Sequence, residues 1–221
     1  MAHVFVDDLA GPVLSDGDRH HLERVLRTRV GDSLTASDGE GRWGAFRLAD
    51  AGRLTADGEI VADPRPRPTV TIAFALTKGE RPELVVQKLT ELGVDRIVPF
   101  LAARSVARWE GDRATRHVDR LRVVAREAAM QSRRSWLPTV DDIQGFAEVA
   151  ALPGAAMADA GGGAPSLQAP TLLVGPEGGW SDEERAADLP RVGLGPHVLR
   201  AETAAIAAAA ALGMLRAGLF G

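Results

Sequence analysis

Cysteine is absent from the 221-residue chain, which removes disulfides and thiolate metal sites from consideration. No apolar run is long enough to span a bilayer, and none follows a basic stretch at the N-terminus. A soluble, cytoplasmic protein without membrane attachment is therefore expected. Lys78 and Lys88 are the only lysines among 26 Lys and Arg residues, an arginine bias of little functional weight. The glycine turn at 175–179 is not a G-x-G-x-x-G and does not end in Lys-Ser/Thr, which counts against a dinucleotide-binding oxidoreductase and a P-loop enzyme. No histidine has metal-ligand spacing, so no metal is expected.

What is present is ordinary for a globular protein: 45% hydrophobic and 25% charged residues. The length suits one large domain or two modest ones. The net charge of -4 is unevenly spread. Residues 101–140 hold nine arginines against Glu110, Asp112, Asp119 and Glu127, whereas residues 141–221 are acidic. A basic middle in an acidic chain points to a local polyanion-binding surface, or to a solvated helix face.

The clearest boundary is "PRPRP" at 64–68. Alternating prolines forbid helix and central strand and favour a stiff extended linker. Before it the pattern is β-rich. "HVFV" reads as a strand, "GDRHHLERVLR" as a helix with Leu22, Val25 and Leu26 on one face, and "SLTAS" and "RWGAFRL" as a hairpin around "DGEG". After it, strands and helices alternate: "TVTIAFAL", a helix closed by Gly93, "RIVPFLA", a long helix over 114–134, "GAAMADA", "TLLVGP", "SDEERAADL", "VGLG" and an Ala-rich helix over 202–217. That order predicts an α/β fold with a mostly parallel sheet. "GGGAPSLQAP" reads as a flexible connection.

The stretch "LLVGPEGGWSDEE" joins a strand to a helix through glycines, where α/β proteins hold ligands. Phosphate does not suit this turn, because Glu177 lies inside it at a cost of several kcal/mol or so. A neutral or cationic ligand does, approached by backbone at Gly175, Gly178 and Gly179. Asp182 to Glu184 read as first-turn residues of the helix after Ser181. A second ligand-like element follows at "GLGPHVLRAETAAIAAAAAL", with a tight turn at Gly193, Gly195 and Pro196 and with Thr203 as a candidate cap. Its alanines suit core packing or a subunit interface. On the basic helix, Arg120, Glu127, Gln131 and Arg134 fall on one stripe, extended by Arg113 and Arg116. Val118, Leu121, Ala125 and Ala128 form a separate apolar face. The polar stripe could grip phosphates and a base edge, or be an exposed face of Glu–Arg pairs.

Together these segments resemble the SPOUT-superfamily methyltransferases that modify N3 of a uridine in 16S ribosomal RNA. The resemblance runs through "HLERVLRTRVGD", "QKLTELGVDRIVPF", "RS" at 104–105, "REAAMQSRRSWLP", "LVGPEGGWSDEE" and "GLGPHVLRAETAAIAAAA", in family order over nearly the whole chain. The last two are the most specific. Trp180 stands where the family commonly has Phe, and His197 where it commonly has Arg. The resemblance implies a PUA-like RNA-binding β-barrel over 1–67 and a trefoil-knotted SPOUT domain over 68–221 that binds S-adenosylmethionine and forms a homodimer. It implies a cofactor site made of Leu173, Val174, Gly175, Pro176, Glu177, Gly178, Gly179, Leu194, Gly195, Leu199 and Arg200. A sulfonium cofactor without phosphate would tolerate the acid in the turn. Handling the N3 proton needs a base or stabilising cations; Glu127 is the candidate base, with Arg104, Arg134 and Arg200 as candidate cations. RNA contacts fall to Arg24, Arg27, Arg104, Arg120, Arg122, Arg126, Gln131, Arg133 and Arg134. The partner would be small-subunit ribosomal RNA or the assembled subunit. The alternatives are an RNA-binding protein of this fold without catalysis, and a methyltransferase for another structured RNA.

Overall fold

The computed structural model describes all residues except Leu26, 78–80, Arg108, Glu110 and 220–221, and excludes the side chains of His21 and Val25. The expected apolar contributions of Val25 and Leu26 thus lie outside the described residues. The chain forms two compact units: residues 1–65 with 126–137, and residues 66–125 with 138–221.

In the first unit, β1 (Ala2–Phe5) pairs in parallel with β2 (Ser33–Ser37). Between them lies α1 (Asp16–His20), which continues as a π-helical turn through His21–Val25 in place of one regular helix. The "DGEG" turn does join β2 to β3 (Arg42–Leu48) as an antiparallel hairpin, with β4 (Leu54–Ala56) and β5 (Val61–Ala62) both on β3. Val4, Leu22, Leu34, Ala36 and Phe46 make the centre of the apolar core.

The expected break at 67/68 assigns 126–137 to the second domain, but compactness groups this segment with the first unit. Backbone bonding gives the reason. Gly41 N–H donates to the Ser135 carbonyl (3.0 Å), and Leu137 N–H to the Gly39 carbonyl (2.9 Å). The Ser37 hydroxyl also donates to the Ser135 carbonyl (2.8 Å), and Trp136 Nε1 to the Asp63 carbonyl (3.1 Å). Linear proximity to the linker cannot reveal such a return of the chain.

His3 lies within this unit with its Nε2 3.1 Å from the Arg134 carbonyl and Nδ1 2.8 Å from the Thr35 hydroxyl. The carbonyl can only accept, so Nε2 carries the proton and Nδ1 accepts from Thr35. Burial is the main cause lowering the imidazole's pKa from 6.5; the bond to the Arg134 carbonyl works in the opposite direction. The unfolded state then binds more protons than the folded one as pH falls through about 6.5. Stability is expected to fall over that window, and His3→Gln should flatten the dependence of the unfolding midpoint between pH 7 and 5. An unchanged slope in His3→Gln would remove His3 as the cause.

The second unit holds a parallel sheet. Its strands are β6 (Thr71–Ala75), β7 (Arg96–Leu101), β8 (Thr139–Val140), β9 (Gln144–Gly145), β10 (Ala155–Gly163), β11 (Thr171–Val174) and β12 (Arg191–Val192). The order is β12-β10-β11-β6-β7-β8, with β9 also on β7. Its helices are α2 (Arg81–Glu91), α3 (Gly111–Gln131), α4 (Phe146–Ala150), α5 (Asp182–Arg185) and α6 (Ala201–Arg216). Period-2 alternation divides each central strand between two layers. Ile72, Phe74, Leu172 and Val174 pack with Val85, Val86 and Leu89 of α2 and Ala205, Ala208, Ala209 and Leu212 of α6. Ala73, Ala75 and Leu173 face Phe100, Met157 and Trp180. The alanine run of α6 is therefore core packing at those three alanines, all fully buried.

Four local expectations need correction. α3 starts at Gly111, and it ends at Gln131, so Arg134 is not on its stripe. The chain closes the helix there, with Arg133 at φ 55° and Arg134 N–H donating to the Ala129 carbonyl (3.0 Å). Thr203 lies inside α6; the N-cap is Arg200, without a side-chain capping bond. "VGLG" yields only the two-residue β12. Finally, Gly161 to Gly163 are not a loose connection but the end of β10, where Gly163 pairs with Val192. Among the described residues no helix is long and apolar enough to cross a membrane.

Candidate functional site

β11 lies beside β6; from β6 the chain runs outward through β7 and β8, and from β11 it runs past β10 to β12 on the opposite side, so the sheet's winding changes direction between the two. Crevices at the carboxyl ends of strands at such a point are where open α/β sheets take ligands. The chain leaves β11 as Gly175-Pro176-Glu177-Gly178-Gly179, and Gly179 N–H closes the turn on the Pro176 carbonyl (2.8 Å). Ser181 then caps α5 in a full capping box with Glu184, which supports the structural role read for these acids.

Gly175 is required by close approach. A Cβ there would lie 2.9 Å from the Trp180 ring. That ring is fixed by its Nε1 donating to the Ala158 carbonyl (2.9 Å), by stacking on Phe100 at 6.1 Å between centroids, and by an edge contact with Phe146. On the other side, a Cβ on Gly162 would lie 2.5 Å from the Val192 nitrogen, and one on Gly193 would lie 2.7 Å from the Gly162 oxygen. Two backbones cross there at a distance only glycine permits, and this crossing sends the chain into the 194–199 segment.

Between the turn and that segment lies a cleft with about 820 Å³ of empty space, counting its open mouth. Of the expected cofactor residues, Val174, Gly175, Pro176, Glu177, Gly179, Leu194, Gly195 and Leu199 line it. Three others do not. The Leu173 side chain is fully buried in the opposite layer. Gly178 faces Arg104, whose Nη1 donates to the Gly178 carbonyl (3.3 Å). Arg200 is exposed at the head of α6. The sequence reading missed Asp159, Trp180, Arg185, Ala201 and Ala204, which also line the cleft. Asp159 had one available signal: an acid at the carboxyl end of an apolar strand. Arg81 was missed as well. Its Nη1 donates to Glu177 (2.6 Å), and its Nε lies 3.8 Å from Glu202.

The expected RNA and proton-handling residues divide between the units. Arg24, Arg27, Glu127, Gln131 and Arg133 are exposed in the first unit, where Arg134 is half-buried. Arg104, Arg120, Arg122 and Arg200 belong to the second. The expectation of an available phosphate contact does not fit Arg126. Its guanidinium binds both oxygens of buried Asp18 (2.8 and 2.7 Å) and the Phe5 carbonyl (3.1 Å), because the carboxylate needs a buried partner. Arg122 is tied to Asp119, Asp142 and the Val140 carbonyl, and Arg120 to Glu83 at 3.4 Å. Among the described residues no group of three or more His, Asp or Glu side chains is placed to hold a metal.

A glycine turn, apolar walls and an acid in the turn, set at the carboxyl ends of the strands of a parallel sheet, suit a ligand without phosphate. Comparison with known proteins makes the class specific. Residues 64–213 match the model of the RNA methyltransferase domain, and residues 14–61 match that of the RNA methyltransferase PUA domain. The chain belongs to this RNA methyltransferase family. It is 38% identical to "Ribosomal RNA small subunit methyltransferase E" of Mycobacterium tuberculosis, over 94% of this chain and 88% of that protein. It is 29% identical to the Bacillus subtilis protein of the same name, over 87% and 86%. The crystal structure of the Neisseria gonorrhoeae protein of that name, bound to S-adenosyl methionine, has a TM-score of 0.82 at 29% identity, covering 97% of this chain and 98% of that one. The fold is the expected one: an α/β SPOUT methyltransferase domain of the trefoil-knotted class with an N-terminal PUA-like module.

Proposed function

We propose that this chain transfers a methyl group from S-adenosylmethionine to N3 of a uridine in 16S ribosomal RNA, on naked RNA or on the assembled small subunit. The observation that carries the cofactor assignment is the cleft. Its glycines leave open space at 179 and 195, its walls at Val174, Leu194, Leu199 and Ala204 are apolar, and its turn carries Glu177. An adenosine with an attached amino acid and no phosphate fits that chemistry. The relatives' names support the RNA class, and the resemblance of "GPEGG" and "LGPHVLRAETA" supports the uridine.

When bound, the cofactor would supply a methyl already on a good leaving group. The chain must align the acceptor, an effect worth roughly 7–11 kcal/mol when geometry is ideal. Uracil N3 offers no in-plane lone pair until its proton leaves, so cations near the base are needed to stabilise the anion. In the second unit Arg104, braced on Gly178, and exposed Arg200 suit that role. In the first unit Arg24, Arg27, Gln131 and Arg133 suit phosphate and base contacts, with Arg134 and Glu127 beside them in sequence. The protein would act in the cytoplasm as a homodimer, which light scattering of the purified chain would test.

The deciding experiment supplies S-adenosylmethionine with labelled methyl to small-subunit RNA and to assembled subunits. Label on a single uridine that also arrests reverse transcription is expected, since an N3-methyl blocks the pairing edge. Label on another base would sink the uridine assignment, and no label on either substrate while RNA is bound would favour the RNA-binding alternative.

A further inference from the structure

The carboxylate of Glu202 is poorly compensated for its burial. Its side chain is only 12% exposed, and its ion pair with Arg81 is a long one, Nε lying 3.8 Å from Oε1. The second oxygen, Oε2, is buried without any hydrogen-bond partner. Arg81 is already engaged, because its Nη1 donates to Glu177 at 2.6 Å. Two carboxylates thus share one guanidinium. The third carboxylate at the cleft, Asp159, has its own partner in Arg185. Among the described residues, Asp159, Glu177 and Glu202 thus face two paired cations, Arg185 and Arg81, which leaves one negative charge in excess across the cleft and the space beside it. Arg200, next to Ala201, is exposed, and water and salt weaken its effect.

Glu202 stands close to the ligand space. It lines a narrow gap with about 160 Å³ of empty space, too tight for a water molecule, that shares Val174, Gly175 and Ala201 with the cleft. Thr77, 2% exposed, lines the same gap, and its hydroxyl is likewise buried without a partner. Two orphaned polar groups in one gap are rare, because each costs free energy that folding alone does not return. A charge left uncompensated at a ligand site is retained at that cost for what it does to the ligand.

We propose that Glu202 makes the cleft selective for the charge on the cofactor's sulfur, so that the sulfonium form is held more tightly than the neutral thioether left after methyl transfer. This rests on the cofactor reading above. The two ligands differ by one methyl and one positive charge, and a carboxylate that only shares a cation, lining the space that adjoins the cleft, acts on the charge. Low-dielectric surroundings keep that attraction effective. Glu177 contributes little to the selection, since Arg81 neutralises it, and Arg81 sets its size by sharing its charge with Glu202. The consequence for turnover is release of product from a site that no longer attracts it.

The test is calorimetric titration of the full chain with S-adenosylmethionine and, separately, with S-adenosylhomocysteine. In Glu202→Gln, which keeps size and hydrogen-bonding capacity, affinity for the sulfonium should drop about three- to tenfold while that for the thioether changes less than about twofold. Arg81→Gln should move the ratio the other way, raising the preference for the sulfonium even if both affinities weaken. Equal weakening of both ligands in Glu202→Gln would mean that Glu202 only positions the helix start, and would overturn the proposal. Unchanged affinities would overturn it as well. If neither ligand binds the wild-type chain, alone or with RNA, the cofactor reading fails instead. If Glu202→Gln does not fold, the Arg81→Gln ratio decides alone.

Discussion

Gly175→Val is expected to weaken binding of S-adenosylmethionine by about thirty- to hundredfold while leaving the chain folded. The new Cβ would meet Trp180 at 2.9 Å from Cε2 and 3.1 Å from Cδ2, closer than carbon atoms tolerate. Trp180 cannot yield cheaply, because its indole N–H holds the Ala158 carbonyl and its faces contact Phe100 and Phe146. Overpacking of this kind costs about 1–3 kcal/mol. Residues 175 and 180 are both wall of the cleft, so relief of the clash by moving either one deforms the ligand site itself. Gly175→Ala carries the same first atom and should show a smaller loss in the same direction. Titration calorimetry with far-ultraviolet circular dichroism as a folding check measures both. Wild-type affinity in folded Gly175→Val would show that the turn is not a wall of the cofactor site.

Arg216→Met is expected to destabilise the second unit by about 3–5 kcal/mol. Arg216 ends α6 and reaches back to the start of the sheet. It binds the Asp95 carboxylate, the Gly93 carbonyl (2.6 Å) and the Pro68 carbonyl (3.2 Å). Asp95 in turn accepts from Val70 N–H at 2.8 Å. Both side chains are largely withdrawn from solvent, at 13% and 7% exposure. Removing the guanidinium leaves a buried carboxylate whose charge was matched by it, and that penalty exceeds the loss of the contacts. Replacing both partners with apolar residues should recover only part, since Val70 N–H would lose its acceptor. Chemical denaturation followed by tryptophan fluorescence reads the effect. A change below about 1 kcal/mol would place this pair with the exposed ones, whose contribution is small.

The period of the hydrophobic residues made the layers legible. Ile72, Phe74, Leu172 and Val174 alternate with Ala73, Ala75 and Leu173, and this alternation alone says that both faces of the sheet are covered. The strand–turn–helix around Glu177 was legible for a similar reason, since glycine, proline and a capping Ser act locally. The errors have a common cause. Gly161 to Gly163 read as a loose connection because glycine usually marks one, yet there they permit β10 to pass against β12. Arg126 read as a phosphate contact because its charge is visible and its partner, Asp18, lies 108 residues away. Arg81 was not seen at all, since nothing near it in sequence announces Glu177.

By itself the sequence determined the main strands and helices, that a turn bearing an acid and no lysine follows a buried strand, and which family the motifs resemble. These are properties of a residue and its near neighbours. Only the tertiary structure decided that residues 126–137 join the first unit, that Gly175 must lack a side chain because of Trp180, and that Glu177 and Glu202 share a single arginine. Each of these depends on which distant groups the backbone brings within a few ångströms, and charge and packing energies are set by that distance rather than by position along the chain.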